Sequence, residues 1–99
     1  MKINQNRDAE KLTVAIEGSL DTTTAPELEK CFDTILEEVT ELVLDMTDLE
    51  YVSSAGLRVI LKAQKAMARR GEMRLVGVNE SVMEVFEITG FCDILTIEK

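Results

Sequence analysis

Ninety-nine residues with 45% hydrophobic content suffice for a single domain over residues 1–99 with one core and modest stability. The formal charge is −8 and histidine is absent, which removes the commonest general base and the commonest metal ligand. Residues 53–74 carry six bases against one acid in an otherwise acidic chain, a field that disfavours nucleic acid and suits a protein partner of matching charge pattern.

In chain order, MKINQ reads as an edge strand, joined through the turn NRDAE to KLTVAIEG. There Leu12, Val14 and Ile16 alternate with Thr13, Ala15 and Glu17, which is strand periodicity. TAPELEKCFDTILEEV follows as an amphipathic helix. Thr24 and Glu27 match a capping box, Pro26 sits in the first turn, and Leu28, Cys31, Phe32, Ile35, Leu36 and Val39 recur at helical spacing. ELVLDM, Glu41–Met46, is a short apolar strand.

SSAGLRVILKAQKAMARRG then reads as a second helix. Leu57, Ile60, Leu61, Gln64, Met67 and Ala68 share one face, Arg58, Lys62, Lys65 and Arg69 share the opposite one, and Gly71 is the expected stop. EMRLVGV is a further strand. SVMEVFEITG is a third helix with a Ser81/Glu84 capping box and Gly90 at its end, and DILTIEK is a last short strand. The order β-β-α-β-α-β-α-β predicts an α/β sandwich whose strands are mainly parallel. Two loops, GSLDTTTAP and TDLEYVSSAG, then share the rim at the carboxyl ends of the strands.

No apolar run is long enough to cross a bilayer, and the longest candidate, FCDILTI, is interrupted by Asp93. The first eleven residues are too polar for a secretory signal, so a cytoplasmic location without membrane insertion is expected, with Cys31 and Cys92 reduced. Cys31 falls on the apolar face of the first helix and reads as packing; Met67, Met73 and Met83 read as core filler. No cysteine or acidic cluster has metal-ligand spacing, and no glycine-rich phosphate loop is present. Asp45 and Asp48 resemble a receiver-type acidic pair, but the lysine such a site needs after a later strand is missing. Catalytic residues, metal and cofactor are therefore not expected, and the chain does not read as an enzyme.

The informative stretch is DLEYVSSAGLRVIL, Asp48–Leu61. Ser53 or Ser54 can serve as the N-cap of the second helix, since serine oxygen accepts from a free first-turn N–H. Gly56 is harder to place, because glycine inside a helix costs roughly 0.8–1.0 kcal/mol against alanine. Its presence calls for close approach of another backbone or a partner surface. Asp21, followed by Thr22 and Thr23, can cap its own turn through Asx-type bonds.

DLEYVSSAGLRVIL resembles the signature of bacterial anti-sigma factor antagonists, the STAS domains, and VAIEGSLDTTTAPELE resembles their second signature. The resemblance covers essentially all 99 residues. It implies a STAS-type sandwich: a mixed, mainly parallel sheet packed by about three to four α-helices. It also implies a partner-switching regulator, an anti-sigma factor antagonist (anti-anti-sigma factor). In this family an unphosphorylated antagonist binds an anti-sigma factor that is also a serine kinase of the histidine-kinase ATPase superfamily. Phosphorylation ends the complex, and a metal-dependent serine phosphatase restores it.

Carried over by position, the phosphorylated serine is Ser54, with Ser53 as the alternative. The partner surface takes in Asp21, Thr22, Thr23, Ser53, Ala55, Gly56, Leu57 and Arg58. Two departures stand out. The family's acid before the serine is Ser53 here, and its second serine or threonine is Ala55. The lost acid leaves room for a second reading, a non-switching STAS scaffold or interaction subunit of a transport, secretion or sensory complex.

Overall fold

In the computed structural model, which describes residues 1–35 and 39–98, the alternating segment forms strand β2, Lys11–Leu20, with Leu12, Val14 and Ile16 buried. β1, Lys2–Asp8, pairs antiparallel with it from Lys2 opposite Glu17 to Asp8 opposite Lys11. Its exposed burial pattern is that of an edge strand. Strands β3 (Glu41–Asp45), β5 (Glu72–Val76) and β6 (Thr96–Ile97) add in parallel, giving the order β1-β2-β3-β5-β6. The register places Leu12, Leu42 and Met73 in one row and Val14, Leu44 and Leu75 in the next. A side-chain period of two puts both rows on one face, and all six side chains are buried. Each such burial stabilises by roughly 1.5–3 kcal/mol relative to exposure.

Three helices complete that core. α1 (Ala25–Ile35) contributes Leu28 and Phe32, α2 (Ser54–Ala68) Ile60 and Met67, and α3 (Glu80–Thr89) Val82 and Phe86. One contiguous apolar cluster results, as the expected sandwich with three to four helices requires: among the described residues there are three α-helices and a one-turn 3-10 helix at Phe91–Asp93.

Several local expectations are corrected. The span from Thr47 to Gly56, read as loop, contains strand β4, Leu49–Val52, parallel to the far end of β2. On α2, Val59 and Ala63 are buried as well as the expected stripe, whereas Leu61 and Gln64 are half-buried and Ala68 is exposed. The reason is that α2 is covered on two sides, by the sheet and by α1. α3 is capped by Asn79, whose side chain accepts from the Val82 N–H at 2.9 Å, not by Ser81. Thr24 does not cap α1 in the expected way. Its hydroxyl donates to the Ser19 carbonyl at 2.8 Å and accepts from the Asp21 N–H at 2.8 Å.

α2 ends at Ala68 with Arg69 as its C-cap, and Gly71 is required for packing instead, because a Cβ there would collide with the Thr40 carbonyl. Gly90 does end α3 in the left-handed conformation, φ 80°. The expected first helix ran to Val39. Of that tail, residues 36–38 lie outside the described residues, and Val39 is buried beyond the helix. No helix among the described residues is long and apolar enough to cross a membrane.

Candidate functional site

β4 brings the two signature loops together. β3 pairs with β2 over residues 11–15, and β4 takes over the same flank at residues 18–20 after a register shift between Gly18 and Ser19. The chain makes that step in a tight turn. The Asp45 carboxylate accepts from the Thr47 N–H at 3.0 Å and from its hydroxyl at 2.6 Å. The Asp48 carbonyl accepts from the Gly18 N–H at 3.0 Å. At the other end the Ser53 N–H donates to the Leu20 carbonyl at 2.8 Å. β2 therefore runs out into the Asp21 loop directly beside the point where β4 runs out into α2.

Asp21 is consumed by its own turn. Its Oδ1 accepts from the Thr23 N–H at 3.0 Å, the Thr23 hydroxyl at 2.7 Å and the Thr24 N–H at 3.1 Å. The Thr23 hydroxyl first, and then the backbone of Thr24, hold its carboxyl below the usual carboxylate range. Asp21 and Thr24 thereby fix the loop, while Thr22 and Thr23 are exposed on it.

The two serines divide their work. Ser53 has extended backbone, φ −95° and ψ 176°, and its side chain accepts from the Gly56 N–H at 3.3 Å. Ser53 is thus the N-cap. Ser54 is the first helical residue; it is exposed, and its hydroxyl forms no hydrogen bond with a described residue. Gly56 is buried against the end of β2, where a Cβ would lie 2.7 Å from Leu20 Cγ and 2.9 Å from the Leu20 oxygen. Close approach of a backbone accounts for the glycine.

Of the residues predicted for the rim, Thr22, Ala55 and Arg58 line one shallow hollow of about 170 Å³ together with Ala25, Pro26, Glu29 and Val59. Gly56 and Leu57 lie beneath the surface, Leu57 only 6% exposed, so they support the rim from within. The basic face of α2 is partly internal in its pairing: Lys62 reaches Glu29 at 3.2 Å and Asp33 at 3.5 Å on α1.

Tyr51 was missed by sequence reasoning. It lies on β4 opposite Ser19, 53% exposed, three residues before Ser54. An exposed aromatic beside small polar residues is the composition favoured at protein interfaces. Its signal in sequence was an aromatic next to Glu50 in a segment read as loop. Among the described residues no group of histidine, cysteine, aspartate or glutamate could hold a metal ion. Neither Cys31 nor Cys92 is in a disulfide; Cys31 is half-buried, and burial pushes its thiol pKa up.

Comparison with known proteins agrees with this geometry. The STAS domain model matches residues 1–99. The anti-sigma-B factor antagonist of Listeria monocytogenes is 31% identical over 96 residues, covering 95% of this chain and 84% of that protein. The crystal structure of an anti-sigma factor antagonist from Mycobacterium paratuberculosis superposes with a TM-score of 0.88 at 18% identity, over 97% of this chain and 83% of that one. The phosphorylated form of the Bacillus cell fate determinant SpoIIAA superposes with a TM-score of 0.76 at 17% identity, over 99% and 92%. The signatures, the sheet order with its short β4 and the full-length match lead to one conclusion: the chain belongs to the STAS domain family.

Proposed function

We propose that this chain is an anti-sigma factor antagonist, a binding module without catalysis of its own, switched by phosphorylation of Ser54. The observation that carries the reading is the division between the serines: Ser53 holds the helix, and the Ser54 hydroxyl is exposed and uncommitted on a rim shared with the Asp21 loop. The Listeria relative is named as an antagonist of this kind, and SpoIIAA is known in a phosphorylated form, which supports the same switch here.

The unphosphorylated domain, residues 1–99 acting as one unit in the cytoplasm, binds an anti-sigma factor that is also a serine kinase of the histidine-kinase ATPase superfamily. Asp21 shapes the loop; Thr22, Thr23, Ala55, Arg58 and Tyr51 face the partner around Ser54. Gly56 and Leu57 hold that surface from beneath. The kinase transfers the γ-phosphoryl group of ATP to Ser54 Oγ, and a metal-dependent phosphatase removes it. A phosphate adds about −1.5 to −2 charge at pH 7. At the first position of α2 it meets unpaired first-turn N–H groups and the positive end of the helix dipole, so the fold tolerates it. The docking surface does not, because a bulky, hydrated dianion now stands in its centre.

The test is incubation with ATP and the cognate serine kinase, followed by intact mass and peptide mapping beside a Ser54→Ala variant. One phosphate on Ser54, absent from the variant, is expected. A phosphate on Ser53 moves the acceptor and refutes the division of roles. A stable complex with an active kinase that ATP leaves unmodified makes the chain a constitutive scaffold instead.

A further inference from the structure

Ser54 and Arg58 stand four residues apart on α2, and both are exposed. That spacing places two side chains on one helix face with Cβ atoms about 5–6 Å apart, within reach of a guanidinium. The next base on the same face, Lys62, is already committed to Glu29 and Asp33 of α1. Arg58 borders the hollow with Thr22 and Ala55 and forms no ion pair or hydrogen bond with a described residue. The rim therefore keeps an unengaged guanidinium one helical turn from an unengaged hydroxyl.

We infer that Arg58 is the internal counter-ion of a phosphate on Ser54, and that phosphorylation withdraws it from the docking surface. This rests on the reading of Ser54 as phosphoacceptor. In the transfer, the bond from the γ-phosphorus of the nucleoside triphosphate to the bridging oxygen breaks as the Oγ–P bond forms. The diphosphate leaves, and the hydroxyl proton passes to a base of the kinase. The product is a dianion at position i with arginine at i+4, the favourable order for an ion pair along a helix. The planar guanidinium fork can hold two phosphate oxygens at once.

Glu29, the acid at the hollow, does not compete on equal terms, since Lys62 holds it. One modification thus changes two rim groups. It adds negative charge at Ser54 and removes the positive charge that Arg58 presents to a partner. A partner with an acidic contact opposite Arg58 loses its counter-ion at the same moment that it gains a repelling anion.

The experiment reads the phosphate itself. Phosphoserine is installed at position 54 during translation, so no kinase is needed, and its second ionisation is followed by 31P NMR in the otherwise native chain and in Arg58→Gln and Arg58→Lys variants. The phosphate in the native chain is expected to be about threefold more acidic than in Arg58→Gln, with Arg58→Lys between them. Equal ionisation in the native chain and Arg58→Gln would overturn the inference. Failure of the kinase to modify Ser54 would instead overturn the proposed switch and leave this result standing as a property of the helix. Arg58 is exposed, so the variants should fold; unchanged circular dichroism checks that.

Discussion

Ser53 and Ser54 are adjacent and chemically identical, yet one residue of offset gives them different environments. Ser53 has extended backbone and aims its oxygen at the Gly56 N–H; Ser54 has entered the helix and points outward. Replacing a serine N-cap by alanine costs about 1 kcal/mol. Ser53→Ala should therefore lower the unfolding free energy by about that amount in urea titration, while Ser54 is still phosphorylated as in the parent. Ser54→Ala should show the reverse: near-parental stability and no phosphate. If both variants lost stability equally, the assignment of cap and acceptor would be wrong. The missing acid of the family pattern also acquires a physical account. Position 53 needs a side-chain oxygen to cap α2, and serine supplies one as aspartate would.

At the scale of elements, β4 organises the site, and it was the part least legible in the sequence. The strands and helices that carry long apolar periodicities, such as Leu12–Ile16 and the stripe from Leu57 to Met67, could be read directly. β4 has four residues with a buried, exposed, exposed, buried pattern, because the register shifts at Gly18 and Ser19. No period of two survives for a sequence pattern to detect. The caps failed for a related reason. Ser81 with Glu84 fits the local capping motif, but Asn79 makes a tertiary bond as well, its Nδ2 donating to the Leu49 carbonyl at 2.7 Å. Nothing local to α3 announces a partner thirty residues away. The position of Ser54 at the start of α2 was legible because it rests on motif position. The burial of Leu57 was legible in its apolar stripe, and a close approach at Gly56 was one of two readings; that the approaching backbone is Leu20 was not, since it depends on how α2 meets the end of β2.

Asn79 thus links α3 to the strand that ends at the serines. Asn79→Ala removes a cap, at about 1 kcal/mol, and leaves a carbonyl without its donor, at about 1–3 kcal/mol where water is excluded. The variant should lose about 2 kcal/mol in urea titration, and amide exchange should accelerate most at Tyr51 and Val52. Uniform acceleration across the sheet would mean that β4 is not separately anchored by this bond.

For the whole molecule, the core and the proposed switch are kept apart. The apolar cluster runs through the sheet and all three helices, while the rim sits where β2 and β4 run out, with its polar groups facing water or bonded within their own loops. A charge added at Ser54 therefore has little to break inside the domain and much to change outside it. The uneven charge of the chain fits that division. The basic α2 lies in an acidic molecule, and Lys62 already spends its charge on α1, so few cations remain near the rim. Phosphorylation of Ser54 is proposed to abolish one interface and spare the fold. The most direct test is calorimetric titration of the anti-sigma partner with unmodified and Ser54-phosphorylated protein, with the melting temperature of each measured in the same buffer. The expected result is an affinity loss of at least about tenfold, or about 1.4 kcal/mol, with a melting temperature shifted by no more than about 2 °C. Unchanged affinity, or a phosphorylated domain that unfolds, would contradict it.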